Sequence, residues 1–326
     1  MNNNFYTDKD SDIESLLNKK IGFIGFGNQG SAQAKNLKDS GLNIKIALRE
    51  DSKTIDNVVK SGFNLASIDE LIGWADIISI QIPDINVPDV IRYIIKSKRN
   101  NLIILLSHAY AISYNEFLSE SNLEFILVAP SAPGYIVRSK FVSGTGVPGL
   151  IAVSRNDILD IALAYSKGIG LTRVGVYLTT FDIETKTDLF GEQAVLVGGL
   201  YALITKSFKI LIDNGYDPKI SWLVCFYELK NIVDTVHRIG FHKFFTEISH
   251  NAKIGAEKAI SSSFGDAINR EMKKIFIDID NGSFKEYIDS DIANYNFKNF
   301  LKDLEDSEFN KTHESMINII YNNESK

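Results

Sequence analysis

Ile21-Gly22-Phe23-Ile24-Gly25-Phe26-Gly27-Asn28-Gln29-Gly30 runs a short apolar strand straight into a glycine turn, and a helical pattern begins inside that turn. The three glycines have separate tasks in such a segment. Gly25 makes the tight turn. Gly27 lets the backbone approach a pyrophosphate. Gly30 lets the helix pack closely on the strand. The free N–H groups of the helix N-terminus then face the anion with a partial positive charge. Gly25, Phe26, Gly27, Asn28, Gln29 and Gly30 are therefore the expected dinucleotide-binding turn.

Working outward, apolar β-branched runs alternate with helical patterns to about residue 180. Strands are expected at Ile21–Ile24, Ile44–Leu48, Ile77–Ile82, Leu102–Leu106, Phe125–Val128, Leu150–Val153 and Arg173–Val176. Most are continuously apolar, as in a parallel sheet covered on both faces. Helices are expected at Gln29–Asp39, Thr54–Ser61, Ile68–Trp74, Asn86–Lys96 and Asn156–Lys167. Strand and helix in alternation give an α/β, Rossmann-type, doubly wound sheet. Beyond residue 182 the strand signal ends. Thr187–Asn214, Ser221–Gly240 and Ser263–Asp280 read as long helices, with shorter helical patches at Phe297–Leu304 and Glu314–Tyr321. The expected division is 1–182 for the dinucleotide domain and 183–326 for an all-α domain carrying substrate, metal and dimer contacts.

The residues after the second strand set the choice of dinucleotide. In Leu48-Arg49-Glu50-Asp51-Ser52-Lys53-Thr54, the cations and hydroxyls suit a 2′-phosphate, while Glu50 and Asp51 would repel one if turned inward. Arg49, Ser52 and Thr54 favour NADPH over NADH. Pro83, His108 and Gly134, near other strand ends, complete the expected cofactor set.

In the helical half, Asp188 and Glu192 stand one helical turn apart and Glu228 lies on a second helix. Hard oxygen ligands of this kind suit Mg²⁺. An acidic pair at this spacing is more often a solvated helix face. Two details favour a site: the apolar neighbours Leu189, Phe190, Ala194 and Val195, expected to be buried, and Gly191. Glycine in a helix interior costs roughly 1 kcal/mol against alanine, so a close approach is expected there.

The bulk composition narrows the classes. The chain has 326 residues, net charge −6 and 44% hydrophobic residues, a globular balance with no basic stripe for nucleic acid. The single cysteine, Cys225, excludes an internal disulfide and fits a reducing compartment. Met1–Phe5 shows no signal-peptide pattern, and the unbroken apolar runs are strand-sized rather than membrane-spanning. A cytoplasmic protein without a membrane or nucleic-acid partner is expected.

Several stretches together resemble the ketol-acid reductoisomerases of the short, class I type. They include Tyr6–Asp10, Ile24–Gly30, Asn36–Gly41, Ala47–Glu50, Ser107-His108-Ala109, Val128-Ala129-Pro130, Gly144–Pro148, Thr187–Gly199, Glu228-Leu229-Lys230, Ile248-Ser249 and Met272–Gly282. Asp188-Leu189-Phe190-Gly191-Glu192-Gln193 is the most specific of them. The resemblance implies Mg²⁺-promoted alkyl migration in a 2-acetolactate, then reduction by NADPH. It also implies a knotted helical domain and a dimer that shares metal carboxylates across its interface. By the same resemblance His108 is the active-site histidine, and Asp188, Glu192 and Glu228 are metal carboxylates. Ser249 holds the substrate carboxylate, with His250 as its neighbour, and Ser52 and Thr54 hold the 2′-phosphate.

Three positions depart from the family pattern. Ser131 replaces a lysine, Val224 replaces a glutamate ligand four residues before Glu228, and Lys186 stands where an acid is usual. The expected reading is a reductase acting on a 2-keto acid or imine, with one Mg²⁺ rather than two and alkyl migration lost or weakened. A fully working reductoisomerase and a non-catalytic cofactor-binding scaffold are the alternatives.

Overall fold

The structure, a computed structural model, describes residues 4–321. The chain divides into two compact units, Met1–Thr185 and Lys186–Lys326.

The first unit holds nine strands: β1 (Phe5–Tyr6), β2 (Lys20–Ile24), β3 (Asn43–Ala47), β4 (Asn64–Ala66), β5 (Ile77–Ile80), β6 (Ile103–Leu106), β7 (Glu124–Pro130), β8 (Gly149–Val153) and β9 (Val176–Leu178). They form one sheet in the order β1-β9-β8-β7-β6-β5-β2-β3-β4. From β2 the chain winds outward through β3 and β4, then returns to β5 on the other side and winds through β6 and β7. β2 therefore pairs in parallel with both β3 and β5. The carboxyl ends of β2 and β5 form the switch point where doubly wound sheets bind ligands. Ile21, Phe23 and Ile77 face a core on one side of the sheet, whereas Ile24, Ile78 and Ile80 face a core on the other. Burial on both faces explains the unbroken apolar runs.

The sheet is mixed rather than wholly parallel, because β8 runs antiparallel to β7 and β1 runs antiparallel to β9. Between β7 and β8 lies the helix Gly134–Val142, which the sequence reading missed. Pro133-Gly134 looks like a turn, yet Pro133 is the N-cap of this helix. Gly149 pairs with Pro130, at the carboxyl end of β7, so this connection returns to the edge it left. That keeps Gly134 at the ligand-binding edge. The strand expected at Arg173–Val176 begins only at Val176, because Gly175 turns the chain with φ +136.

Among the described residues, the second unit has no strand. The helix Phe181–Gly191 leads into a π turn, Glu192–Leu196, and then the helix Gly198–Asp213. A second π turn, Leu223–Tyr227, separates Pro218–Trp222 from Glu228–Glu247. Gly240, with φ 77 and ψ 158, kinks that last helix. Ser263–Asp280 forms as expected. Asp291–Asp306 and Glu308–Tyr321 extend the two helical patches, and His250–Ile260 and Ser283–Ile288 are additional helices.

By length and composition alone, Phe181–Asp213 is apolar enough to cross a membrane, and 11% of its most apolar window is buried. Counting unbroken apolar runs overlooked it, because polar residues such as Gln193, Tyr201 and Thr205 interrupt the stretch.

Candidate functional site

The glycine turn connects β2 to the helix Asn28–Asp39, whose N-cap, Gly27, provides no side-chain cap. Its first backbone N–H groups thus remain available to an anion. Each glycine has a distinct geometry. Gly25 has φ +100, and a Cβ there would lie 2.2 Å from the Gln81 carbonyl oxygen. At Gly30 a Cβ would lie 2.9 Å from Gln81 Cβ, so helix and strand pack there at glycine distance. A Cβ on Gly27 would meet nothing within 4 Å, which leaves the space that a phosphate would enter.

Gly134 acts indirectly. A Cβ there would lie 2.1 Å from the Asn28 carbonyl oxygen, so this glycine lets the helix Gly134–Val142 seat against the start of the pyrophosphate helix. Gln29 completes the junction by donating to the Ala132 carbonyl at 2.8 Å.

Three clefts surround this edge. One of about 550 Å³ is lined by Gly27, Asn28, Ser31, Lys35, Thr54 and Lys60, among others. The second, about 610 Å³, lies between Leu48-Arg49-Glu50 and Ser67, Ile68, Asp69 and Tyr93. Tyr93 donates to Asp69 at 2.6 Å, and that hydrogen bond and charge push its phenol up. The third, about 220 Å³, is lined by Gln29, Gly30, Gln81, Asp84, Ser107 and His108 and marks the reactive end.

In the loop after β3, Ser52 Oγ and Thr54 Oγ1 lie 3.0 Å apart and form a pair of hydroxyls. Arg49 is exposed and 3.8 Å from Asp51, so it is only loosely held. Pro83 is exposed and caps the short turn Asp84–Asn86.

His108 sits between two carboxylates. Its Nδ1 is 3.5 Å from Asp84 and its Nε2 is 4.0 Å from Glu184. Glu184 is only 2% exposed and accepts the Ala109 N–H at 2.9 Å. Sequence reasoning missed both carboxylates. The signal for Glu184 was present, one helical turn before Asp188, but nothing local says that it folds against His108. Glu184→Gln keeps an acceptor for Ala109 while removing the charge that faces the imidazole. Turnover is expected to fall by at least about ten-fold, the scale of a disturbed proton-transfer group, with an unchanged unfolding temperature. An unchanged turnover would show that Glu184 only holds the backbone.

In the helical unit, Asp188 and Glu192 are exposed beside buried Leu189 and Ala194, and Glu192 opens the first π turn. Glu228 directly follows the second. Such single π turns are frequent at functional sites. Two expectations need correction here. Val195 is 52% exposed rather than buried. Gly191 has no close neighbour, the nearest atom to an added Cβ being Leu196 Cδ1 at 3.9 Å. The crowding lies instead at Gly198 and Gly199, where a Cβ would come within 2.5 Å of the Gln193 and 2.0 Å of the Ala194 carbonyl oxygens. The widened turn brings these carbonyls inward.

Asp188, Glu192 and Glu228 do not gather into one site within this chain. Among the described residues, no three His, Cys, Asp or Glu side chains form a group able to hold a metal. Glu228 starts a different helix behind its own π turn. Lys186 does not simply subtract charge from the acidic pair, because it forms an ion pair with Asp280 at 3.0 Å. Ser249 caps the helix His250–Ile260 by accepting from Ala252, and both Ser249 and His250 are exposed. Val224 is 49% exposed, and Ser131 is exposed on the loop after β7.

A helix without a side-chain cap after a glycine turn, at the switch point of a doubly wound sheet and beside a histidine-lined cleft, is the arrangement of a dinucleotide-dependent oxidoreductase. Residues 15–175 match the family described as acetohydroxy acid isomeroreductase, NADPH-binding domain. Residues 181–320 match ketol-acid reductoisomerase, C-terminal domain. The chain is 40% identical over 295 residues to a ketol-acid reductoisomerase (NADP(+)) of Petrotoga mobilis (strain DSM 10674 / SJ95), covering 89% of each. It is similar to the solved structure of an NADH-preferring ketol-acid reductoisomerase from an uncultured archean, with TM-score 0.91 and 31% identity over 97% of this chain and 99% of that one. A semialdehyde dehydrogenase NAD-binding protein from Cupriavidus necator, at 16% identity and TM-score 0.57 over 81% of this chain and 99% of that one, shares the fold alone. The chain belongs to the ketol-acid reductoisomerase family.

Proposed function

We propose that this protein is an NADPH-dependent reductase of a 2-keto acid, or of the corresponding imine, in which alkyl migration is lost or weakened. The observation that carries this reading is the departure at Ser131 and Val224, while His108, Asp188, Glu192, Glu228 and Ser249 are retained. Migration needs two polarised oxygens and a proton-transfer group, whereas reduction needs one polarised carbonyl or imine, a hydride and a proton. Ser131 offers no cation and Val224 no oxygen ligand.

The residues present suit the two groups that the family implies. The uncapped turn at Gly27 and the hydroxyls of Ser52 and Thr54 fit NADPH. The exposed oxygens of Asp188 and Glu192 fit one hard divalent cation completed by water and substrate. When bound, NADPH supplies the hydride and Mg²⁺ the Lewis acidity. The carboxylates of Asp84 and Glu184 beside His108 support it as the group that gives a proton to the new hydroxyl or amine. Ser249, at the N-terminus of the helix His250–Ile260, suits a substrate carboxylate.

The family resemblance and the exposed apolar residues of the helical unit, such as Leu196, Val197, Phe241 and Phe297, support a homodimer. The partner subunit then brings a second set of carboxylates, which accounts for Glu228 standing apart from Asp188 and Glu192. The single cysteine, Cys225, suits a reducing compartment and supports a cytoplasmic location.

NADPH oxidation with 2-acetolactate and with 3-hydroxy-2-ketoisovalerate, both with Mg²⁺, tests the reading. The keto acid is expected to turn over and acetolactate to turn over at least about 100-fold more slowly, the scale expected when a metal ligand and a proton-transfer group are both missing. Ser131→Lys with Val224→Glu is expected to narrow that gap. Normal turnover of acetolactate by the natural chain would overturn the reading. It would favour the second one, a working reductoisomerase, which the intact Asp188–Gln193 stretch and the 40% identity to the Petrotoga mobilis enzyme support.

A further inference from the structure

A chain of polar side chains lies beneath the reactive end of the cofactor site, in the middle of an otherwise apolar sheet face. Tyr165, Gln33 and Ser79 are all 0% exposed. The Tyr165 hydroxyl donates to Gln33 Oε1 at 2.9 Å. Gln33 Nε2 donates to Ser107 Oγ at 2.8 Å and to Gln29 Oε1 at 3.2 Å. Gln81 Nε2 donates to Ser107 Oγ and to Ser79 Oγ, both at 2.9 Å. Ser79 Oγ lies 3.4 Å from the Tyr165 oxygen and closes the ring.

The ring has a direction. Tyr165 has one proton and gives it to Gln33, so Ser79 must donate to Tyr165. Each nitrogen-bound proton of Gln33 and Gln81 is then committed, which sets the orientation of both amides. Burial pushes the Tyr165 phenol up, so it stays a donor at every physiological pH. The ring also has two outlets toward the site. Ser107 immediately precedes His108, and Gln29 reaches the Ala132 carbonyl on the loop that bears Ser131. Gln29, Gln81, Ser107 and His108 all line the 220 Å³ cleft.

A purely structural role does not account for this arrangement. Apolar side chains of the same shape are commonly neutral or stabilising in place of buried polar pairs. Buried networks that are fully satisfied do rigidify what they touch.

We propose that Tyr165 is a positioning residue, which acts through Gln33, Ser107 and Gln81 to hold the side chains facing the nicotinamide end of the dinucleotide. The proposal rests on the reading of the site as one for NADPH reduction. Tyr165→Phe removes a single oxygen, takes from Gln33 Oε1 and Ser79 Oγ their bonds to Tyr165, and loosens the Gln33 amide that holds Ser107.

The test uses the full chain with Mg²⁺ and compares Tyr165→Phe, Ser107→Ala and the double variant. Two quantities are read for each: the fluorescence of bound NADPH, and its oxidation with 3-hydroxy-2-ketoisovalerate. Each single variant is expected to shift the emission or lifetime of bound NADPH and to lower kcat about ten-fold, within what a small misplacement of reacting groups costs. The KM for NADPH is expected to change by less than about three-fold, because the pyrophosphate and adenine contacts lie elsewhere. If both act through one network, the double variant loses about ten-fold rather than about 100-fold. Multiplying losses, losses that follow the unfolding temperature, or wild-type behaviour in both single variants would overturn the proposal. If the natural chain oxidises no NADPH with this substrate, the proposed function fails. The positioning role is then decided by fluorescence alone, and unchanged emission rejects it. Should Tyr165→Phe fail to fold, Ser107→Ala carries the same readouts from a half-buried position.

Discussion

Gly25→Ala is expected to lower the unfolding temperature of the dinucleotide unit by about 5–15 °C and to remove measurable NADPH binding. Two independent costs combine. The backbone at Gly25 has φ +100, where a Cβ costs roughly 1–2 kcal/mol. The added methyl would also lie 2.2 Å from the Gln81 carbonyl oxygen. That oxygen belongs to the backbone at the end of β5, so it cannot swing aside as a side chain could. Overpacking of this kind costs about 1–3 kcal/mol. The sum, about 2–5 kcal/mol, is a large part of a domain's stability of about 5–15 kcal/mol. Relief requires β2 and β5 to part at the switch point, which displaces the anion-facing start of the helix Asn28–Asp39. Gly27→Ala is the control, because its Cβ meets no protein atom within 4 Å. It should leave the unfolding temperature intact and weaken only the cofactor. Equal unfolding temperatures for both variants, measured by calorimetry without ligand, would contradict this account.

Asp188→Asn is expected to reduce Mg²⁺-dependent turnover by at least about 100-fold. The exposed pair of Asp188 and Glu192 carries two negative charges one helical turn apart. The amide keeps the shape but loses half of that charge and a hard oxygen ligand. Metal polarisation of a reacting oxygen is worth several kcal/mol, and about 1.4 kcal/mol corresponds to ten-fold in rate. NADPH binding is expected to be unchanged, because the glycine turn and the cleft beside Leu48-Arg49-Glu50 belong to the other compact unit. Mg²⁺ titration by calorimetry and steady-state rates with the keto acid check both halves. Turnover that ignores both the substitution and chelation would remove the metal from the account.

Much of the dinucleotide unit was legible because its signals are local. The apolar runs became β2, β3, β5, β6, β7 and β8 because strands buried on both faces have little choice of composition. The glycine turn could be read position by position because Gly25 and Gly30 answer to Gln81 one strand away, whereas Gly27 leaves open space. β1 was not legible. It has two residues and exists only because β9, about 170 residues later, offers an edge. The helix Gly134–Val142 was hidden by the Pro-Gly pair that starts it.

The helical unit was legible as helices but not as a site. Periodicity located Ser263–Asp280 to the residue. It could not show that Glu192 and Glu228 each adjoin a π turn, because one extra residue in a turn leaves the apolar pattern almost unchanged. Nor could it show that Gly198 and Gly199, rather than Gly191, answer to close carbonyls.

The amino-acid order therefore determined most of the elements and the dinucleotide class of cofactor, since propensity, patterning and turn chemistry act over a few residues. Tertiary structure decided the partnerships. It put Glu184 and Asp84 on either side of His108, paired Lys186 with Asp280 and closed the ring from Tyr165 to Ser107. Among the described residues it gathers no three His, Cys, Asp or Glu side chains into a group able to hold a metal. Each of these joins groups from different elements, and pairing strength falls steeply with distance. No local pattern encodes it, because the partners become neighbours only once the sheet and helices have packed.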